Sequence, residues 1–204
     1  MNIQKILTTT GALLLAGSLQ AAAIPQLKAF IASSNTLSAD FQQVVTSKNK
    51  RSDASGTLSI ARPGRFLWVY NKPYDQVIDG DGKRLWIYDK ELAQVTTRPL
   101  NAALGSSPAA LLAGSNAIER DYVLKEAGSS GGLDWLTATP RKDENTFKSI
   151  RMGFRANVLQ VMELADTFGN ITRITFANLK KNPTLPANLF HFTPPKGVDV
   201  ITDQ

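Results

Sequence analysis

Residues 56–72 read GTLSIARPGRFLWVYNK. Leu58 and Ile60 alternate with Thr57 and Ser59, which is the period of a half-buried strand. Arg62-Pro63-Gly64-Arg65 then supplies turn chemistry. The next five residues, Phe66-Leu67-Trp68-Val69-Tyr70, are apolar at every position, and Leu85-Trp86-Ile87-Tyr88 repeats that character. An antiparallel sheet with one wet face alternates apolar and polar residues. These two strands do not, so both their faces must be screened from water. Either a second core layer or a ligand can do this.

Working outward, period-two stretches recur along most of the chain. Leu37, Ala39, Phe41, Gln43 and Val45 share one face of a strand, and Lys48 to Asp53 reads as a polar loop. Gln76 to Ile78 leads into Asp79-Gly80-Asp81-Gly82, a hairpin-turn signal. Strands follow at Lys83–Tyr88, Ala93–Thr97, Tyr122–Glu126, Leu133–Thr139, Phe147–Phe154, Val158–Leu164 and Ile171–Leu179, separated by Gly, Asn and Pro turns. The Phe190 to Pro195 tail reads as extended. Helical spacing appears in two places. Ile24, Leu27, Phe30 and Ile31 form one apolar helix face behind Pro25. Leu100 to Leu104 and Pro108 to Ala113 read as two short helices, the second capped by Ser107. The expectation is a mainly β (α+β) fold: a curved, incompletely closed antiparallel barrel of about eleven strands with a lid of short helices. So few helices offer too little apolar area to cover a two-sided sheet, which favours an apolar cavity beneath the lid.

The first 21 residues are read apart from the fold. Lys5, an apolar centre at 11–19 and Ala21-Ala22-Ala23 are the parts of a secretory signal peptide, with cleavage after Ala21 or Ala23. Residues 22–204 then form a single domain. The chain has no cysteine, so it carries no thiol for disulfides or for lipid attachment behind the signal. Without Lys5 the balance is 22 basic against 17 acidic side chains, which suits solubility. There is no basic stripe with interleaved aromatics, and nucleic-acid binding is not expected.

The sequence also argues against catalysis. His191 is the only histidine, there is no Gly-x-Ser-x-Gly, and the Asp79/Asp81 pair sits among turn glycines. Read as a calcium loop, that segment would place Lys83 and Lys90 at ligand positions, so no metal site and no cofactor are expected.

Five segments in order resemble one known family. These are Leu37–Phe41 with Gln42-Gln43, Ala61–Trp68, Val77–Asp89, Ser107-Pro108 with Leu111-Leu112, and Phe190-x-Phe192-Thr193-Pro194-Pro195-Lys196-Gly197-Val198. Together they resemble the LolA family of periplasmic outer-membrane lipoprotein carriers. The resemblance implies a soluble, monomeric protein of the Gram-negative periplasm that is not an enzyme. Such a protein would accept the acyl chains of lipoproteins from an ATP-driven release complex in the inner membrane. It would then hand them to a lipoprotein receptor on the outer membrane. By position, Arg62 matches the family's lid latch and Phe66 an apolar residue at the cavity mouth that engages the release complex. Leu58, Ile60, Trp68 and Trp86 would line the lipid-binding cavity. Leu67 and Val69 depart from the family, which often has polar residues there. The alternative is a carrier or sensor of other lipids on the same half-barrel.

Overall fold

A computed structural model of the chain describes residues 22–48, 50–103, 108–114, 118–142 and 146–203. The leader reading over 1–21, Leu104 and the Ser107 cap lie outside the described residues. Helix α1 spans Ala23–Ala32 and buries Leu27 and Phe30, with Ile24 and Ile31 half-buried beside them, on the face expected from their spacing. Its first turn has no side-chain cap of its own. Glu126, which is distant in sequence, takes that role: its carboxylate accepts hydrogen bonds from the N–H groups of Ala23 (2.8 Å) and Ile24 (2.9 Å). Two of the four orphan donors of the helix are thereby satisfied.

The strands are β1 (Thr36–Thr46), β2 (Arg51–Ala61), β3 (Arg65–Lys72), β4 (Gln76–Asp81), β5 (Arg84–Asp89), β6 (Gln94–Pro99), β7 (Tyr122–Ser130), β8 (Leu133–Pro140), β9 (Phe147–Arg155), β10 (Val158–Asp166), β11 (Ile171–Lys181) and β12 (Asp199–Thr202). They form one sheet in the order β12-β6-β5-β4-β3-β2-β1-β11-β10-β9-β8-β7. Antiparallel hairpins generate nearly all of it, and the β1–β11 ladder joins its two halves. β7 and β12 stand at opposite ends of the order, so the barrel stays open. Between β6 and β7 the described residues form three short helices: α2 (Leu100–Ala103), α3 (Pro108–Ala113) and α4 (Ile118–Asp121).

Three details differ from the sequence reading. The twelfth strand, β12, pairs parallel to β6, Asp199 opposite Gln94. Its four residues are all exposed, so no alternation marks it. β2 begins at Arg51, because β1 and β2 both run past the core to the rim, where polar residues suffice. β4 also continues through Asp79, Gly80 and Asp81, and the turn falls at Gly82 and Lys83. Gly80 is there for packing. A Cβ at that position would lie 2.4 Å from the Phe66 ring. Gly82, at φ +94°, makes the turn itself.

The helices pack on one side of the sheet, α1 over β7–β10, α3 over β2 and β3, and α2 over β5 and β6. The core lies between them and the strands. Ladder register assigns the faces. Phe41 pairs with Gly56, Leu58 with Trp68, and Ile60 with Phe66, all on the helix side. Ile78 pairs with Ile87, and Gly80 with Leu85, on that same side. Asp79, Trp86 and Thr97 pair across β4–β6 on the opposite, convex side. There the C-terminal tail covers them, with Phe192 stacking 5.8 Å from Trp86 and 5.9 Å from Tyr88. Of the two covers anticipated for the two-sided strands, it is packed protein that screens both faces here, the tail on one and the lid on the other.

Candidate functional site

The β2–β3 turn meets the lid at Arg62. Its Nε donates to the Leu112 carbonyl at the end of α3 at 3.1 Å. Its Nη1 donates to the Ser34 carbonyl and, at 3.0 Å, to the Ser34 hydroxyl oxygen just after α1. One guanidinium thus holds α3 and the α1–β1 junction together. Two backbone bonds reinforce it: Gly64 N–H to Ala113 O at 2.7 Å, and Arg62 N–H to Asn35 O at 2.8 Å. The carbonyls at the end of a helix lack intrahelical partners and carry partial negative charge, so a rigid fork of N–H donors suits them. The set of bonds is nonetheless incomplete. Nη2 of Arg62 is buried with no partner among the described residues. Burial also pulls the guanidinium down to about 10, although it stays charged at neutral pH. Leaving one nitrogen of a buried cation without a partner carries a desolvation cost.

Beneath the latch the surface is apolar. Ile60 and Phe66 are fully buried and Leu58 and Trp68 nearly so, all in one cluster with Leu112 and Phe30 of the lid. Phe30 meets Phe154 edge to face at 6.0 Å, tying α1 to β9. On the strand side the aromatics form a chain: Trp68 to Phe41 at 4.5 Å, Phe41 to Tyr70 at 5.2 Å, and Tyr70 to Tyr74 at 5.7 Å. Tyr74 lies in the β3–β4 turn and is exposed. An aromatic path thus runs from the interior to the rim.

The structure brings Arg62, Leu58, Ile60, Phe66 and Trp68 together and sets Trp86 apart. Trp86 lies on the convex face, donating from Nε1 to Asp81 at 3.0 Å, with Phe192 against its ring. Phe66 is wholly enclosed below α3, away from the surface. Leu67 and Val69 point to the convex side, half-buried. The sequence reading passed over Gln43 and Tyr70, whose side chains are bonded to each other at 3.1 Å on the helix side. A signal was present: Gln43 shares the parity of Leu37, Ala39 and Phe41, and a polar residue on an otherwise apolar strand face calls for a reason. His191 is exposed in the tail.

Comparison with known proteins agrees with this geometry. The model of the family described as "Outer membrane lipoprotein carrier protein LolA" matches residues 32–193. An outer-membrane lipoprotein carrier protein of Chromobacterium violaceum is 62% identical over 188 residues, covering 92% of this chain and 91% of its own. Proteins of the same name from Dechloromonas aromatica and Neisseria meningitidis serogroup B are 47% and 45% identical, each covering at least 98% of both chains. Among solved structures, an uncharacterized conserved protein of Thermus thermophilus superposes with a TM-score of 0.57 at 13% identity, covering 88% of this chain and 96% of that one. A LolA superfamily protein of Nitrosomonas europaea superposes at 0.50 with 12% identity, covering 83% and 97%. At such low identity these two likenesses speak for the fold alone. The open β-sheet with its short helices and the likeness to the carriers over nearly the whole chain agree, and the chain belongs to the LolA family of outer-membrane lipoprotein carrier proteins.

Proposed function

We propose that this chain is a soluble, monomeric periplasmic carrier. It takes the acyl chains of lipoproteins from an ATP-driven release complex in the inner membrane and delivers them to a receptor on the outer membrane. It performs no catalysis. The observation that carries this reading is the Arg62 latch over an apolar, aromatic-lined interior. Three acyl chains of about 15 methylenes each, at ~0.8 kcal/mol per methylene, would cost on the order of 35 kcal/mol to expose to water. Cargo of that kind cannot diffuse freely, and an empty apolar cavity would be a sticky patch. A lid that closes when empty answers both needs. Loading exchanges the Arg62 hydrogen bonds for acyl-chain contact, and unloading restores them. Phe66, enclosed while the lid is shut, becomes available at the mouth when α3 lifts.

Residues 1–21 serve as the export signal. Cleavage after Ala21 would leave the mature chain with Ala23, which is fully buried and bonded through its N–H to Glu126. Cleavage after Ala23 would remove that anchor, so Ala22 is the proposed first residue.

The test is a transfer assay. The purified mature protein is incubated with spheroplasts and then with outer membranes, and lipoprotein is followed through the soluble fraction. We expect a soluble one-to-one complex and onward delivery. For Arg62→Leu we expect loading to persist and delivery to fall at least tenfold, because closure no longer competes with the bound chains. If wild-type protein forms no soluble complex with lipoprotein, the carrier reading fails. If Arg62→Leu delivers normally, the latch role fails.

A further inference from the structure

The most exposed large apolar side chain among the described residues belongs to neither the lid nor the interior. Phe168 is 83% exposed in the β10–β11 turn. That turn lies at the end of the sheet opposite Arg62: Ile171 pairs with Thr46 there, whereas Lys181 pairs with Leu37 near the latch. The turn is tightly built. Asp166 Oδ1 accepts hydrogen bonds from the N–H groups of Phe168 (2.9 Å) and Asn170 (2.8 Å), and Oδ2 accepts from the Asn170 side-chain amide at 2.6 Å. Asp166 N–H donates to Asn170 O at 3.0 Å, and Gly169, at φ +87°, supplies the left-handed residue. None of these bonds uses the Phe168 side chain, so the turn would hold equally well with a polar residue there. Scattered exposed apolar residues are ordinary. A phenylalanine held outward by a turn that does not need it is a displayed group.

Its surroundings indicate what it meets. Ile171, itself 43% exposed, pairs with Thr46 at the end of β1, so the β1–β2 turn stands alongside. That turn contributes Lys48 and Lys50, both exposed. Lys148 is exposed on β9, next to Phe147, which pairs with Asp166 at the start of the Phe168 turn. Arg51, Arg151 and Arg173 lie further along the same strands. Three carboxylates stand among these six cations, and each is already bonded: Asp53 to Arg51, Glu163 to both Arg151 and Arg173, and Asp166 to its own turn. The Arg141-Lys142-Asp143-Glu144 run between β8 and β9 adds no net charge. An outward aromatic ring flanked by excess lysine suits a bilayer interface, where the ring enters between head groups and the long lysine stems reach their phosphates. The ring and the lysines stand on neighbouring hairpin tips, an arrangement that a broad surface meets more fully than a pocket would. Going beyond the carrier reading, we propose that the β1–β2 and β10–β11 tips form a landing site for an anionic phospholipid bilayer. Phe168 is the inserting side chain, and Lys48, Lys50 and Lys148 contact the head groups. One ring and a few lysines give weak, reversible binding, so the protein returns to solution between landings.

The experiment is co-sedimentation of the purified mature protein, free of lipoprotein, with vesicles of phosphatidylcholine alone or of phosphatidylcholine mixed with phosphatidylglycerol. At low salt, wild-type protein is expected to bind the mixed vesicles about tenfold more tightly than the neutral ones, with the preference shrinking as salt rises. Phe168→Ser should weaken binding to the mixed vesicles about fivefold, the scale of an aromatic ring partly withdrawn from water. The double variant Lys48→Gln, Lys50→Gln should weaken it about tenfold and leave the neutral vesicles unaffected. Phe168→Trp should bind as wild type and add blue-shifted emission when mixed vesicles are present. These side chains are exposed, so all the variants should melt with wild type, which separates a lost contact from a lost fold. Equal wild-type binding to the two kinds of vesicle overturns the landing site. So does undiminished binding by Phe168→Ser or by the lysine variant, and Phe168 would then belong to a contact with another protein. Lipoprotein carriage is read in the separate transfer assay, so either result leaves the carrier standing.

Discussion

Asp79 shows how one residue on the convex face senses pH. It is 1% exposed beneath the tail side of the sheet, and its Oδ1 has no partner among the described residues. Burial first, and then the charge of Asp81, push its carboxyl from 3.8 up to about 7. Asp81 is held down instead, by hydrogen bonds from Trp86 and from the Arg84 and Lys83 backbone and by the Lys83 charge. By register Asp79 faces Leu67 and Trp86, so no cation on the neighbouring strands opposes it directly. The folded state therefore holds the Asp79 proton more tightly than the unfolded chain does. Its contribution to stability is complete below the unfolded pKa of 3.8 and is lost as pH rises through about 7. Asp79→Asn should melt with wild type in acid and several degrees above it in alkali. Parallel melting curves for the two proteins from acid to alkali would show that Asp79 is not the group responsible.

Among the helices, α1 is tied to distant parts of the chain. Its apolar face was legible from spacing alone, but its N-terminal partner was not, because Glu126 lies 103 residues from Ala23. Gln26 is tied in the same long-range way, donating from Nε2 to Asp134 at 2.6 Å and accepting from Asn157 N–H at 2.9 Å. Removing the carboxylate strips two helix-end donors of their acceptors, a loss of about 1 kcal/mol by analogy with other caps. For Glu126→Ala the melting temperature should fall by about 2–4 °C. Amide exchange should speed up in α1 with little change in β1 and β2, since the lid opens locally. Glu126→Gln, which keeps one acceptor oxygen, should restore part of the protection. Uniform loss of protection across the sheet would mean that Glu126 acts on the whole fold rather than on the lid helix. The glycine at the end of β4 teaches a related lesson. Gly80 looks like a turn residue in sequence, yet its missing side chain makes room for the Phe66 ring.

At the scale of the molecule the question is which face meets lipid, and the three tryptophans report on it. Trp68 lies in the cluster below the lid. Trp86 lies against Phe192 on the convex side. Trp135 belongs to a small separate cluster with Leu133 and Val161, and Arg151 sits 4.6 Å over its ring. In variants that retain one tryptophan each, a lipopeptide with brominated acyl chains should quench Trp68 strongly and Trp86 and Trp135 hardly at all. Quenching of Trp86 to the same degree would place the chains on the other face.

By itself the sequence determined the strand-rich class, most of the strands and their hairpins, and the apolar side of α1. Each of these depends on residues close together along the chain, where alternation, helical spacing and turn chemistry are local properties. Only the tertiary structure decided that Trp68 and Trp86 face opposite ways, that the tail covers one side and the lid the other, and that Gln43 and Tyr70 meet beside Trp68. Strands apolar at every position carry no parity signal, so their inner face is set by register with neighbours. Those pairings, β1 with β11 and β6 with β12, join parts of the chain far apart in sequence, and no local pattern encodes them.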